Sequence, residues 1–158
     1  MNRLSFDGLA SLSAAAEQSP RKRMNHNIHS ELSDPVQRLA IAMEPDTYIR
    51  PHRHQQTWEL LTSLRGRFVV LTFDDDGFVI DRALLGESDS VAETPVAGWH
   101  AVLSLDSGGV VFEVKQGPYT AFKEEDFAPW SPSADDDNRY ALMRWFCHAE
   151  VGQRWSGC

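Results

Sequence analysis

The run Trp58-Glu59-Leu60-Leu61-Thr62-Ser63-Leu64-Arg65-Gly66-Arg67-Phe68-Val69-Val70-Leu71-Thr72-Phe73-Asp74-Asp75-Asp76-Gly77 sets the architecture. Two short blocks rich in branched and aromatic residues are divided by Gly66 and closed by an acidic turn, which joins Phe68–Phe73 to residues 78–85 as a hairpin. Upstream, Val36–Met43 and residues 47–54 have the same strand-like character. Downstream, residues 99–105 and 110–115 flank Asp106-Ser107-Gly108-Gly109 as a second hairpin. Short strands divided by turns predict a sandwich or barrel rather than alternating βαβ units. At the N-terminal side, Leu9, Leu12, Ala15 and Ala16 recur at helical spacing over residues 5–18, and Ser19-Pro20 ends that helix. Past Gly117-Pro118 the pattern loosens into a loop, with Pro129 and Pro132 bracketing Trp130. Asp135-Asp136-Asp137 then introduces a C-terminal helix through Tyr140, Met143 and Phe146, with Gly152 at its end. The expectation is an all-β domain with a short helix at each end.

Composition narrows the function classes. The chain has 158 residues, 42% of them hydrophobic and 24% charged, which is the make-up of a soluble globular protein and excludes wholesale disorder. No run approaches the ~18 apolar residues of a membrane helix. Residues 1–19 lack the basic start and apolar run of a secretory signal, so a cytoplasmic location without membrane contact is expected. Fifteen basic against twenty-three acidic residues leave a net charge of −8, the wrong sign for nucleic acid. The one basic cluster, Arg21-Lys22-Arg23, reads as a solvated loop or as cations aimed at a small anionic ligand. Cys147 and Cys158 lack metal-type spacing, and two reduced thiols are expected.

The histidines carry the chemistry. His52 and His54 flank Arg53 in a predicted strand, so both imidazoles share one face with backbones about 6–7 Å apart. Glu59 follows five residues after His54, and a reversal between them returns its carboxylate beside the rings. His100 follows the turn Pro95-Val96-Ala97-Gly98 and joins the others only in a closed sheet. A lone strand histidine is more often a surface or core residue; the coincidence of all four makes His52, His54, Glu59 and His100 the candidate metal ligands. Imidazoles with a carboxylate suit one divalent ion, Zn, Fe, Ni or Mn, without choosing among them. Off the metal, Glu59 is a candidate general base.

Strand parity aims Arg50 and Tyr48 into the same cavity. Glu113 and Lys115 share a face of their strand, either facing solvent, paired together, or lining a polar pocket. In the last case Arg50 with Lys115 grips a phosphate, a carboxylate or a nucleotide-sugar diphosphate. Arg23, Asn25 and His29 form either an ordinary polar loop or a cover over the cavity mouth, with Asn25 at the ligand and His29 as a second acid or base. Tyr119 offers a phenol at the rim. Trp99, Trp130 and Trp145 read as packing residues, and His26 and His148 as surface or structural ones.

Pro51-His52-Arg53-His54, Glu59 and Gly66 match the first cupin motif, and Pro95 to His100 resembles the second, although its glycine is Gly98, one place late, and Ser104 stands where an Asn is usual. Arg23 to His29, Asp34 to Arg38, Tyr48 to His54, Phe112 to Tyr119 and Asp126 to Trp130 resemble the WbuC family of cupin-fold metalloproteins over most of residues 20–132. The resemblance implies a jelly-roll barrel enclosing a divalent metal at His52, His54, Glu59 and His100, a homodimer, and a setting in O-antigen (lipopolysaccharide) biosynthesis. The expected organisation is a helical extension at 1–20, a cupin barrel at 21–132, and a C-terminal helix and tail at 133–158 packed on it, as one domain. The expected function is metal-dependent binding or isomerase/epimerase-like conversion of a small anionic sugar or sugar nucleotide. A non-catalytic metal- or ligand-binding module and an iron-dependent dioxygenase are the alternatives.

Overall fold

The computed structural model describes residues 1–157, so the expectation for the Cys158 thiol lies outside the described residues. Eight strands run in the order β1 (Arg23–Asn27), β2 (Val36–Met43), β3 (Glu59–Arg65), β4 (Phe68–Phe73), β5 (Val79–Leu85), β6 (Val91–Thr94), β7 (Trp99–Ser104) and β8 (Gly109–Gln116). Helix α1 (Phe6–Gln18) precedes them and α2 (Asn138–Phe146) follows. One sheet has the order β1-β2-β8-β3-β6 and the other β5-β4-β7, with every pairing antiparallel.

Alternation along the strands explains the layers. Leu39, Ile41 and Met43 of β2, Leu61 of β3 and Val111 of β8 meet Phe68, Val70, Leu85 and Val102 from the facing sheet. The intervening residues of β2 and β8, Ala40, Ala42 and Val110, point the other way and lie beneath Leu9, Leu12 and Ala16 of α1. The outer face of the smaller sheet, with Val69, Leu71, Phe73, Ala101 and Leu103, is covered by Leu142, Met143 and Phe146 of α2. Strand β7 is therefore buried on both sides along its whole length, which accounts for its nearly unbroken apolar run. Ser5 caps α1 by accepting from the Gly8 amide, and Ser13 donates to the Gly108 carbonyl, tying the helix to the β7–β8 turn.

Three expectations need correction. Residues 47–54 form no regular strand: His52 makes isolated bridges to His100 and Phe127, because Pro51 lacks the amide that a ladder needs. Strands β1 and β6 lie at the sheet edges with largely exposed residues, so no apolar alternation announces them. Helix α2 ends at Phe146 rather than at Gly152. The following chain is instead drawn onto β5, where the Gly152 amide donates to Val79 and the Val79 amide to Gln153. Cys147 is a free, exposed thiol. No helix among the described residues is long and apolar enough to cross a membrane.

Candidate metal centre

The isolated bridge builds the centre. Residue 52 donates its amide to the His100 carbonyl at 3.0 Å and accepts the His100 amide at 2.8 Å. This places the two rings 4.4 Å apart, with the His54 ring 5.2 and 5.5 Å from them. A ring nitrogen from each of the three lies within 4.8 Å of the others. Each buried ring is also pinned. His52 Nδ1 meets the Arg50 carbonyl and His100 Nδ1 the Gly98 carbonyl, both at 2.9 Å. A carbonyl only accepts, so both Nδ1 atoms carry a proton; His100 Nε2 faces the Glu59 carboxylate at 3.3 Å, which raises the His100 pKa against the effect of burial. His100 is 1% exposed, and its Nε2 has no hydrogen-bond partner. Burial, with the charge of His100, lowers the His52 pKa well below its ordinary value and keeps the ring neutral. Three ring nitrogens gathered at one point, one of them buried without a hydrogen-bond partner, are a donor set that fits a divalent cation.

Glu59, from the start of β3, backs two of these rings. Its Oε1 lies 3.2 Å from His54 Nε2 and its Oε2 lies 3.3 Å from His100 Nε2. The pairing of Glu59 with Lys115 across β3 and β8 brings Lys115 Nζ to 3.5 Å from Oε1, and Glu113 lies 2.7 Å from the same ammonium. Glu113 and Lys115 thus face inward as a mutual pair. Burial alone would raise the Glu59 pKa, but the facing rings of His100 and His54, with the charge of Lys115, hold it well below the usual carboxylate range. Burial, then the negative charge of Glu59, pushes Glu113 up to about 7, against the pull of Lys115. Burial would lower the Lys115 pKa, but Glu113 and Glu59 outweigh it and keep the ammonium charged.

A cavity of about 410 Å³ opens beside His54 and Lys115, lined also by Arg53, Gln55, Tyr119 and Phe122. Its far wall is the segment 117–127, which holds a single 3-10 turn at Glu124–Asp126. This strap carries Phe122 onto the rings of His52 and His54, at 4.8 and 5.1 Å. It is fixed by the amide of Arg53 donating to the Asp126 carbonyl and that of Ala128 donating to Pro51.

The remaining sequence candidates divide. Tyr119 lines the cavity and is half exposed. Arg50 does not enter the cavity: its guanidinium bonds Ser131 and Glu124 and lies 5.0 Å from the Phe127 ring. Tyr48 packs with the cluster under α2 and donates to the Pro132 carbonyl. Parity misplaces both because it presumes a ladder that Pro51 prevents. His29 is buried beside β2, where its Nδ1 accepts the Arg38 amide, and it does not line the cavity. Asn25 lies on exposed β1 opposite Ile41. Trp99 and Trp130 pack in the cluster under α2, Trp145 packs on it from α2 itself, and His26 and His148 are exposed. Sequence reasoning missed Arg53, whose place between two candidate ligands was its signal, and Phe122, which had none.

Among solved structures, KdgF from Halomonas sp. matches with a TM-score of 0.51 at 14% identity, over 65% of this chain and 85% of that one. TT1209 from Thermus thermophilus matches at 0.54 and 18%, over 73% and 97%. A recombinant oxalate oxidase in complex with glycolate matches at 0.52 and 13%, over 66% of this chain and 57% of the larger one. These likenesses and the two packed antiparallel sheets make the fold a cupin-like jelly roll. Curated protein sequences contain no match. The family model described as a domain of unknown function, DUF6016, covers residues 4–85, from the start of α1 through β5 and so through His52, His54 and Glu59. With more than half of its length matched, the chain belongs to the DUF6016 family.

Proposed function

We propose that this chain is a metal-dependent cupin of the WbuC type, a cytoplasmic homodimer that binds a small anionic sugar or sugar nucleotide. Its chemistry is isomerase- or epimerase-like, in surface-polysaccharide (O-antigen) biosynthesis. One observation carries the metal: three imidazoles converge within 4.8 Å, and one Nε2 is buried without a partner. His52, His54 and His100 hold the ion, with Glu59 as fourth ligand or as the acceptor that orients two of the rings. A divalent ion there polarises a carbonyl or enolate oxygen. Lys115 Nζ keeps Glu59 anionic, the phenol of Tyr119 supplies a donor at the rim, and Phe122 shields the rings from water. A second reading, a binding module without turnover, is favoured by that same packing of Phe122 on two of the rings. An iron-dependent dioxygenase uses the same donors and is separated by the identity of the ion.

Plasma mass spectrometry on tag-free protein tests the centre. About one equivalent of Zn, Fe, Ni or Mn is expected in the wild type, lost in His52→Ala and His100→Ala because each removes one of three or four ligands. Stoichiometric metal in either variant would overturn the assignment.

A further inference from the structure

Of the three lysines, Lys22 reaches the Glu17 carbonyl, Lys123 is exposed, and Lys115 alone is drawn between the sheets. Register shows why. Lys115 stands opposite Gln37 of β2 and Glu59 of β3, and Glu113 stands opposite Leu39 and Leu61. Leu39, Leu61 and Val111 face the space between the sheets. Opposed residues share a face, and so do alternate residues of one strand, so Glu113 and Lys115 face that space too.

An ammonium has three N–H donors and no acceptor. Glu113 Oε1 lies 2.7 Å and Glu59 Oε1 3.5 Å from Lys115 Nζ. Among the described residues nothing takes the third donor, and an unmade bond is costly in a largely buried group. Lys115 and His54 line the same cavity. Lys115 Nζ and His54 Nε2 also touch one atom, Glu59 Oε1, at 3.5 and 3.2 Å. A ligand oxygen at the histidines is therefore only a few bonds from the spare donor.

Charge selects the group that fits. On the outer wall Arg53 and Lys123 are matched in number by Glu125 and Asp126; Arg53 stacks on Trp99 and Lys123 pairs with Glu125. Deeper in, Lys115 in its pair with ionised Glu113 also faces Glu59, leaving one negative charge in excess. A divalent ion on the histidines turns this into one positive charge in excess, which a single carboxylate cancels. A phosphate dianion overshoots it and is repelled by both buried carboxylates. The cavity of about 410 Å³ lies near the small end of the range for ligand sites, about 300–1,000 Å³, which suits an acid the size of one sugar.

We propose that Lys115 Nζ receives the carboxylate of a sugar-sized 2-hydroxy or 2-keto acid whose neighbouring hydroxyl or carbonyl oxygen lies at the histidines. Lys115 is thus the residue that sets ligand specificity. The inference deepens the metal-centre reading and rests on it for that second oxygen.

Calorimetric titration with D-gluconate, with D-glucitol, which carries CH₂OH in place of the carboxylate, and with inorganic phosphate tests this. Lys115→Met alone leaves two buried carboxylates unpaired, so the informative pair is Glu113→Gln and the double variant Glu113→Gln, Lys115→Met. Gluconate is expected to bind wild type at least about tenfold more tightly than glucitol or phosphate. Glu113→Gln should bind it at least as tightly, since a competing carboxylate is gone, and the double variant at least about tenfold more weakly. Equal affinity for gluconate and glucitol, tighter binding of phosphate, or equal gluconate affinity in the two variants overturns the inference. Metal content measured on the same samples separates the two readings. Lys115 is no ligand to the ion, so both variants should keep the wild-type complement. Wild type without metal would sink the metal centre, while a Lys115-dependent preference for gluconate over glucitol would still support the carboxylate site.

Discussion

Ala97 holds the turn before His100 in a left-handed conformation, with φ of 59°. A side chain costs roughly 1–2 kcal/mol there. The neighbouring Gly98 cannot readily become alanine, since its Cβ would come 2.7 Å from Pro95 Cγ. Ala97→Gly is expected to stabilise the fold by about 0.5–1 kcal/mol after the entropy that glycine adds to the unfolded chain. The urea midpoint should rise at constant m, and a lower midpoint would refute the claim. The Ala97 amide also bonds the His54 carbonyl, so the turn supports a candidate ligand as well as its own strand. At this scale the sequence was most informative. His52, His54, Glu59 and His100 are brought together because two-residue spacing, a short reversal and a β-bridge all survive folding. Arg50 and Tyr48 are not, because one proline removes the ladder on which parity depends.

The strap over the cavity is an element with no helix or strand pattern, held by a few backbone bonds at each end. Its one large contact with the centre is Phe122. Phe122→Ala should leave metal content unchanged, since it removes no ligand, and should speed metal loss to a chelator severalfold by unshielding His52 and His54. Equal release rates would show that the ring is no barrier. Glu113→Gln should leave the barrel folded but loosen Lys115, which loses its closer charge partner at 2.7 Å. Greater accessibility of that amine to acylation is the expected readout, and unchanged labelling would show that Glu59 alone retains it. Both hairpins and β2 were legible because β-branched alternation and glycine turns coincide there. Strands β1 and β6 were not, because edge strands with exposed side chains are fixed by partners distant in sequence.

Across the whole molecule, two helices seal the outer faces of two sheets, and neither sheet is apolar on one side only. Leu142 is fully buried between α2 and the smaller sheet. Leu142→Ala is expected to cost about 2–5 kcal/mol, read from urea unfolding. A cost under about 1 kcal/mol would mean that this layer collapses onto the gap or that α2 does not secure the sheet. That the ends are helical was legible from their spacing; that they make β7 a strand with no solvent face was not, because layer stacking leaves no local signature. The three imidazoles are consequently sewn to unequal cloth. His100 belongs to that doubly covered seam, whereas His52 and His54 ride a hem stitched on by His52's amide pair and single bonds at Arg53 and His54. Capture of an ion by these rings would then be partly the closing of this hem, and its affinity would carry the free energy of that closure. Amide protons of residues 52–54 should exchange more slowly once the ion is held, while those of β7 stay as they were; equal exchange in both states would show a margin already sewn shut.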